Sequence, residues 1–232
     1  MNKWKVAVGG MFVVLLLFSP TAGRAQTGSS NDEKAQLAQM LYDGVRASQL
    51  LGSNVVSKTG EQLGKIRNIV LADNGTVRGF IAEQIGTSVT PEFMFRLSWE
   101  QIVLPLRPGN VVADLDPSHL FGLFPSAKDD HDNRKPDLLV TEIIGDYARL
   151  QTGRGYGYVN DVVLTPEGRM LAVLVTRDTA EGGGTFAFAY PGRTGRWSPD
   201  WSYYGLAFIT SEQANSAGLK VDSRKFKLSG SG

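Results

Sequence analysis

Between Leu50 and Glu83 short apolar runs alternate with glycines: Val55-Val56, Ile66 to Leu71 and Val77 to Ala82 lie among Gly52, Gly60, Gly64, Gly75 and Gly79. Short β-branched runs bounded by glycine predict strands joined by tight turns. Asn74-Gly75 between two such runs predicts a hairpin, because the favoured two-residue loop needs positive φ and glycine supplies it without steric cost. A shift of ninety-three positions returns most of this pattern without a gap. Gly52 falls on Gly145, Gly60 on Gly153, Gly64 on Gly157 and Gly75 on Gly168, while Ile69-Val70-Leu71 falls on Val162-Val163-Leu164. The register predicts a tandem repeat of one small β module, with all eight of these glycines at turns and Pro166-Glu167-Gly168 at the second hairpin. The apolar runs are more continuous than in/out alternation requires, so each module is expected to close into a small barrel.

Outside the repeated core the pattern changes. From Asn31 to Val45 the apolar spacing Leu37, Met40, Leu41 and Val45 fits one face of a short helix, with Ser30 or Asn31 as its cap. Phe93, Phe95 and Leu97 alternate as a strand, Ile102 to Leu106 and Val111 to Ala113 read as closing strands, and Arg107-Pro108-Gly109-Asn110 is the turn between them. Residues 128–135 form a charge run without periodicity, which reads as a hinge. Phe186, Phe188 and Tyr190 alternate as a further strand. The aromatic and arginine-bearing stretch from Pro191 to Tyr204 has no visible counterpart in the first module.

The run Arg46 to Gly52, followed by Val55-Val56, Thr59-Gly60-Glu61, Leu63-Gly64-Lys65-Ile66, Ile69-Val70-Leu71 and the hairpin closing on Val77 to Ala82, resembles the PRC-barrel family. That small β-barrel is shared by the photosynthetic reaction-centre H subunit and a domain of a ribosome-maturation factor. The second module is similar over Glu142 to Gly145 and Tyr158 to Val175, departing at Gly155. The resemblance implies a mainly β chain of two tandem PRC-barrel-like units with a short N-terminal helix. Together with the segments that flank it, the sequence divides into a leader (1–25), a polar segment and helix (26–45), a first barrel (46–116), a linker (117–137), a second barrel (138–228) and a tail (229–232). Members of the family are binding and assembly modules without shared catalytic residues, so the resemblance implies a non-enzymatic role, no cofactor, and another protein or an envelope component as partner.

Lys3 and Lys5, an apolar run from Val6 to Phe18 and a small-residue site ending at Ala25 form the three parts of a secretory signal. A run of about thirteen residues gives roughly 20 Å of helix against a hydrocarbon core of roughly 30 Å, which favours a cleaved leader and a periplasmic or secreted address over a retained anchor. Hydrophobic residues at 42% and charged residues at 20% describe an ordinary globular chain. Lys+Arg number 24 against 23 acids; without Lys3, Lys5 and Arg24 the balance is slightly acidic, leaving no electrostatic pull on nucleic acid.

The absence of cysteine excludes disulfides, thiolate catalysis and cysteine-bound metals. His119 and His131 stand near no nucleophile motif, and Asp129 to Asp132 sit on adjacent loop positions that fix no metal geometry. An envelope hydrolase using carboxylates and a membrane-anchored accessory subunit remain as alternatives. Aromatic and arginine residues dominate binding hot spots. Tyr156 and Tyr158 beside Arg149 and Arg154, with Arg193, Arg196, Trp197 and Trp201, are therefore the expected partner surface; the competing structural role is for the tryptophans to plug one barrel end.

Overall fold

The computed structural model describes residues 30–84, 92–123, 137–191 and 201–226. The leader 1–25, the charge run 128–135, the tail 229–232 and Arg193, Arg196 and Trp197 lie outside the described residues. In chain order the first half carries α1 (Ser30–Met40), β1 (Val45–Arg46), α2 (Ala47–Leu50), β2 (Asn54–Ser57), β3 (Gln62–Leu71), β4 (Val77–Gln84), β5 (Phe93–Ser98) and β6 (Asn110–Ala113). The second carries β7 (Leu138–Leu139), α3 (Val140–Ile143), β8 (Tyr147–Arg149), β9 (Gly155–Leu164), β10 (Met170–Arg177), β11 (Thr185–Ala189), β12 (Tyr203–Gly205), α4 (Ser211–Ala217) and β13 (Leu219–Lys220). The chain is mainly β. Four pairs of elements, β1 with β7, α2 with α3, β3 with β9 and β4 with β10, have bounds separated by ninety-three residues at both ends.

Two sheets result, ordered β5-β4-β3-β2-β6 and β12-β8-β9-β10-β11-β13. Each half sends its first strand to the other half's sheet. Val45 and Arg46 of β1 pair with Leu164 and Val163 of β9, and Leu138 and Leu139 of β7 pair with Leu71 and Val70 of β3. Between the two hairpins Thr76 bridges Arg169, Val77 N–H donates to the Gly168 carbonyl (2.8 Å) and Met170 N–H donates to the Gly75 carbonyl (2.7 Å). Gly75 and Gly168 have φ of +81° there, a conformation that L side chains resist. Each hairpin tip thus hydrogen-bonds the start of the other half's returning strand.

The single turns α2 and α3 are held the same way. A helix start exposes N–H groups with no partner in the helix. Asp161 on β9 accepts from Ser48 N–H (3.0 Å), from the Ser48 hydroxyl and from Val162 N–H (2.9 Å). Ninety-three residues earlier, Asn68 on β3 accepts from Thr141 N–H (3.3 Å) and Ile69 N–H (2.9 Å) and donates to the Thr141 hydroxyl (2.6 Å). One apolar cluster runs through both halves, joining Ile69, Leu71, Phe80 and Phe95 to Val162, Leu164, Val173 and Phe188. At about 1.5–3 kcal/mol for each fully buried side chain, that shared interior is the main source of stability. Leu37 of α1 and Leu41 just after it belong to a second, smaller cluster with Val163, Leu174 and Phe226.

Four expectations are corrected. Neither sheet closes into a barrel: the first runs from β5 to β6 and comes together only where Ile102 bridges Ala113, because the chain after β5 enters a 3₁₀ turn (Trp99–Gln101) instead of continuing the ladder. Residues 103–106 accordingly form no strand. The N-terminal helix stops at Met40, and Val45 is in β1; Gly44 lets the backbone approach β9, where a Cβ would come within 2.6 Å of the Val163 side chain. Gly64 and Gly157 are not turn residues. They lie inside β3 and β9, where a Cβ would stand 2.5 Å from the Glu83 carbonyl oxygen and 2.2 Å from that of Thr176, so the neighbouring strand excludes any side chain. Gly52, Gly60, Gly75, Gly145, Gly153 and Gly168 do take positive φ.

Candidate functional site

Residues paired across neighbouring strands point to the same face of a sheet, and residues two apart along a strand share that face. Tyr203 of β12 pairs with Tyr147 of β8, and Tyr147 pairs with Tyr158 of β9. Arg149 follows Tyr147 by two positions and Trp201 precedes Tyr203 by two. Five side chains therefore gather on the outer face of one sheet end. Tyr158 and Tyr147 meet edge to face with ring centroids 4.6 Å apart, the Arg149 guanidinium lies 5.8 Å from the Tyr147 ring and 5.2 Å from the Tyr203 ring, and Trp201 stacks on Tyr203 at 5.2 Å. Tyr158 is 55% exposed and Trp201 40% exposed. Such contacts contribute about 0.5–1.5 kcal/mol per aromatic pair, enough to hold the row in one arrangement before anything binds.

A second layer fixes the row. The Tyr147 hydroxyl donates to Asp178, and that bond, followed by burial, pushes its phenol up from the ordinary value. Arg154 pairs with Glu181 (2.6 Å), so its charge is shared with an acid. Among the described residues no carboxylate pairs with Arg149, whose guanidinium is spread over two rings and keeps its donors for an outside acceptor.

The predicted surface is partly corrected. Tyr158 and Trp201 are in the row, and Arg193, Arg196 and Trp197 lie outside the described residues. Tyr156 is not on any surface. It is fully buried, packs edge to face on Phe188 and donates to the Asn215 carboxamide (2.6 Å). The pairing of β8 with β9 steps from Gly157 to Gly155, leaving Tyr156 as the extra residue of a bulge that turns it inward. The sequence reading missed Tyr147 and Tyr203. Its own offset would have found them, since it places Tyr203, Tyr147 and Tyr158 on Asn110, Asn54 and Lys65, the rungs that pair on the first sheet. β12, at the end of the stretch from Pro191 to Tyr204, thus has a counterpart in β6.

Other chemistry is sparse. Among the described residues no group of three His, Asp or Glu side chains could hold a metal ion, and no helix is long and apolar enough to cross a membrane. Asp146 is a carboxylate with a raised pKa, caused by burial and then by the charge of Glu142, and its Oδ2 finds no hydrogen-bond partner among the described residues.

The features above define a mainly β scaffold with a preorganised aromatic face. Residues 43–114 match the family model of the PRC-barrel domain. No curated protein matches the chain.

Proposed function

We propose that this chain is a non-enzymatic binding or assembly protein of a bacterial envelope, made of two PRC-barrel-like units in tandem, and that a protein partner docks on the row Tyr158, Tyr147, Arg149, Tyr203 and Trp201. One observation carries the reading. The same backbone rungs hold Asn110, Asn54 and Lys65 in the first half and three tyrosines in the second. Exposed tyrosine and tryptophan cost solubility without adding to the core, and together with arginine they are the residues that concentrate binding energy. The near-neutral charge favours a protein over nucleic acid, and the leader-like segment 1–25 supports export with cleavage after Ala25.

Photo-crosslinking in intact cells tests this. A benzophenone amino acid at Tyr158 is expected to capture a discrete adduct, whereas the same probe at Lys65, the matching rung of the first half, captures none. Equal crosslinking at both positions, or none at Tyr158, would remove the proposed surface.

A further inference from the structure

A separate groove of about 330 Å³ lies between α1, α4 and the ends of β11 and β12. Phe188, Tyr190, Tyr204 and Phe208 line it, with Leu37 of α1 along one wall and Lys34 at the rim. Phe188 packs against both Tyr156 and Phe208, so the aromatic floor is fixed by its neighbours. The volume is at the lower end of ligand pockets, roughly 300–1,000 Å³. At roughly 30 Å³ per water-sized group it accepts a chain of about ten carbons.

Lys34 decides the head group. Its ammonium donates to the Ser216 carbonyl (3.0 Å) in the last turn of α4, and among the described residues no carboxylate pairs with it. An ammonium has three donors, so two face outward at the mouth of an apolar groove. A charge-assisted bond to an anion is shorter and stronger than a neutral one, and partial burial strengthens it further.

The geometry points to a ligand site for a free single-chain amphiphile with a carboxylate head, its tail along Phe188 and Phe208 and its carboxylate on Lys34. The site shares no lining residue with the aromatic row, so either can fail alone. Titration calorimetry with decanoate and decyltrimethylammonium below their micelle concentrations, and with decanol below its solubility limit, tests the assignment. Decanoate is expected to bind saturably at one site, decanol more weakly, and the ammonium amphiphile not at all. Lys34→Gln should weaken decanoate by about tenfold and leave decanol unchanged. Ala217→Trp, which fills the groove, should abolish both, with thermal unfolding of each variant as the folding control. Absence of saturable decanoate binding to the wild-type chain would overturn the proposal, as would a Lys34→Gln variant that binds decanoate as the wild type does.

Discussion

The two halves of the chain differ least at their junction and most on their outer faces. At the junction, Val45 with Leu164 matches Leu138 with Leu71, and Asp161 over Ser48 matches Asn68 over Thr141. On the outer face, the rung of Asn110, Asn54 and Lys65 is held by side-chain amide contacts, Asn54 Nδ2 donating to Asn110 (3.3 Å) and Gln62 to Asn54 (3.3 Å), where its counterpart is aromatic. One ladder thus carries two surfaces, and the shared backbone constrains only what points inward. Binding chemistry in such a scaffold is free to reside in one half while the other half supports it.

The largest expected effect comes from separating the halves. Residues 43–114 alone expose Val45, Ala47 and Leu50, which are buried in the intact chain, and leave the β1 pairing groups without β9. Expressed by itself this segment should be unfolded or should dimerise through the same junction; a folded monomer in analytical ultracentrifugation would show that the shared core is dispensable. Next are the glycines inside the strands. Gly157→Ala and Gly64→Ala each drive a Cβ into a backbone carbonyl, and each should cost about 3 kcal/mol in urea unfolding, Gly157→Ala the more because its approach is closer.

The caps over the helical turns offer a sharper comparison. Asp161 is 1% exposed, and Asp161→Ala removes the acceptor of three donors, of which Val162 N–H is buried and the two of Ser48 lie nearer solvent, so a loss of about 2 kcal/mol is expected. Asn68→Ala, at a half-buried site, should cost about 1 kcal/mol. Asp161→Asn can reproduce the Asn68 pattern, accepting from the backbone and donating to the Ser48 hydroxyl, and should stay within about 1 kcal/mol of wild type. A loss as large as that of Asp161→Ala would mean that the negative charge itself is required.

A smaller effect separates the halves by pH. Asp146 occupies the position that Ser53 holds in the first half, and burial beside Glu142 raises its pKa above the ordinary 3.8. A carboxyl raised in the folded state binds its proton more tightly there than in the unfolded chain. Stability from this group is therefore fully present below the unfolded pKa and is lost as pH rises through the raised folded one. Asp146→Asn should raise the thermal midpoint at neutral pH, with the gain vanishing below about pH 3.8, where the wild-type carboxyl is protonated in both states. A gain that persists at low pH would assign the effect to packing.

The hairpins, the ninety-three-residue register and the interior strands were legible because glycine at a turn and β-branched runs are local signals. Asn74-Gly75 and Gly168 turn where the pattern places them. Closure was not legible. Whether β5 meets β6 depends on the 3₁₀ turn at Trp99 and on the parallel pairing of β2 with β6, neither of which has a local signature. Gly64 and Gly157 look like turn glycines in sequence, yet their reason is a carbonyl on the next strand. Tyr156 and Tyr158 read as one face at strand spacing, and a single bulge sends one inward. The four-residue turns α2 and α3 are too short for helical periodicity and form because an Asx side chain from the other half caps them.

Exchanging the aromatic rung for its first-half equivalent tests the account most directly. The variant Tyr203→Asn, Tyr147→Asn, Tyr158→Lys keeps the ladder and replaces only the outer face. The adduct captured from position 201, with the photo-reactive residue in place of Trp201, is expected to disappear while the thermal midpoint falls by less than about ten degrees, consistent with about 2–3 kcal/mol for the lost ring contacts and the Tyr147 bond to Asp178. An adduct captured at wild-type yield from a variant that remains folded would contradict the assignment of binding to that row.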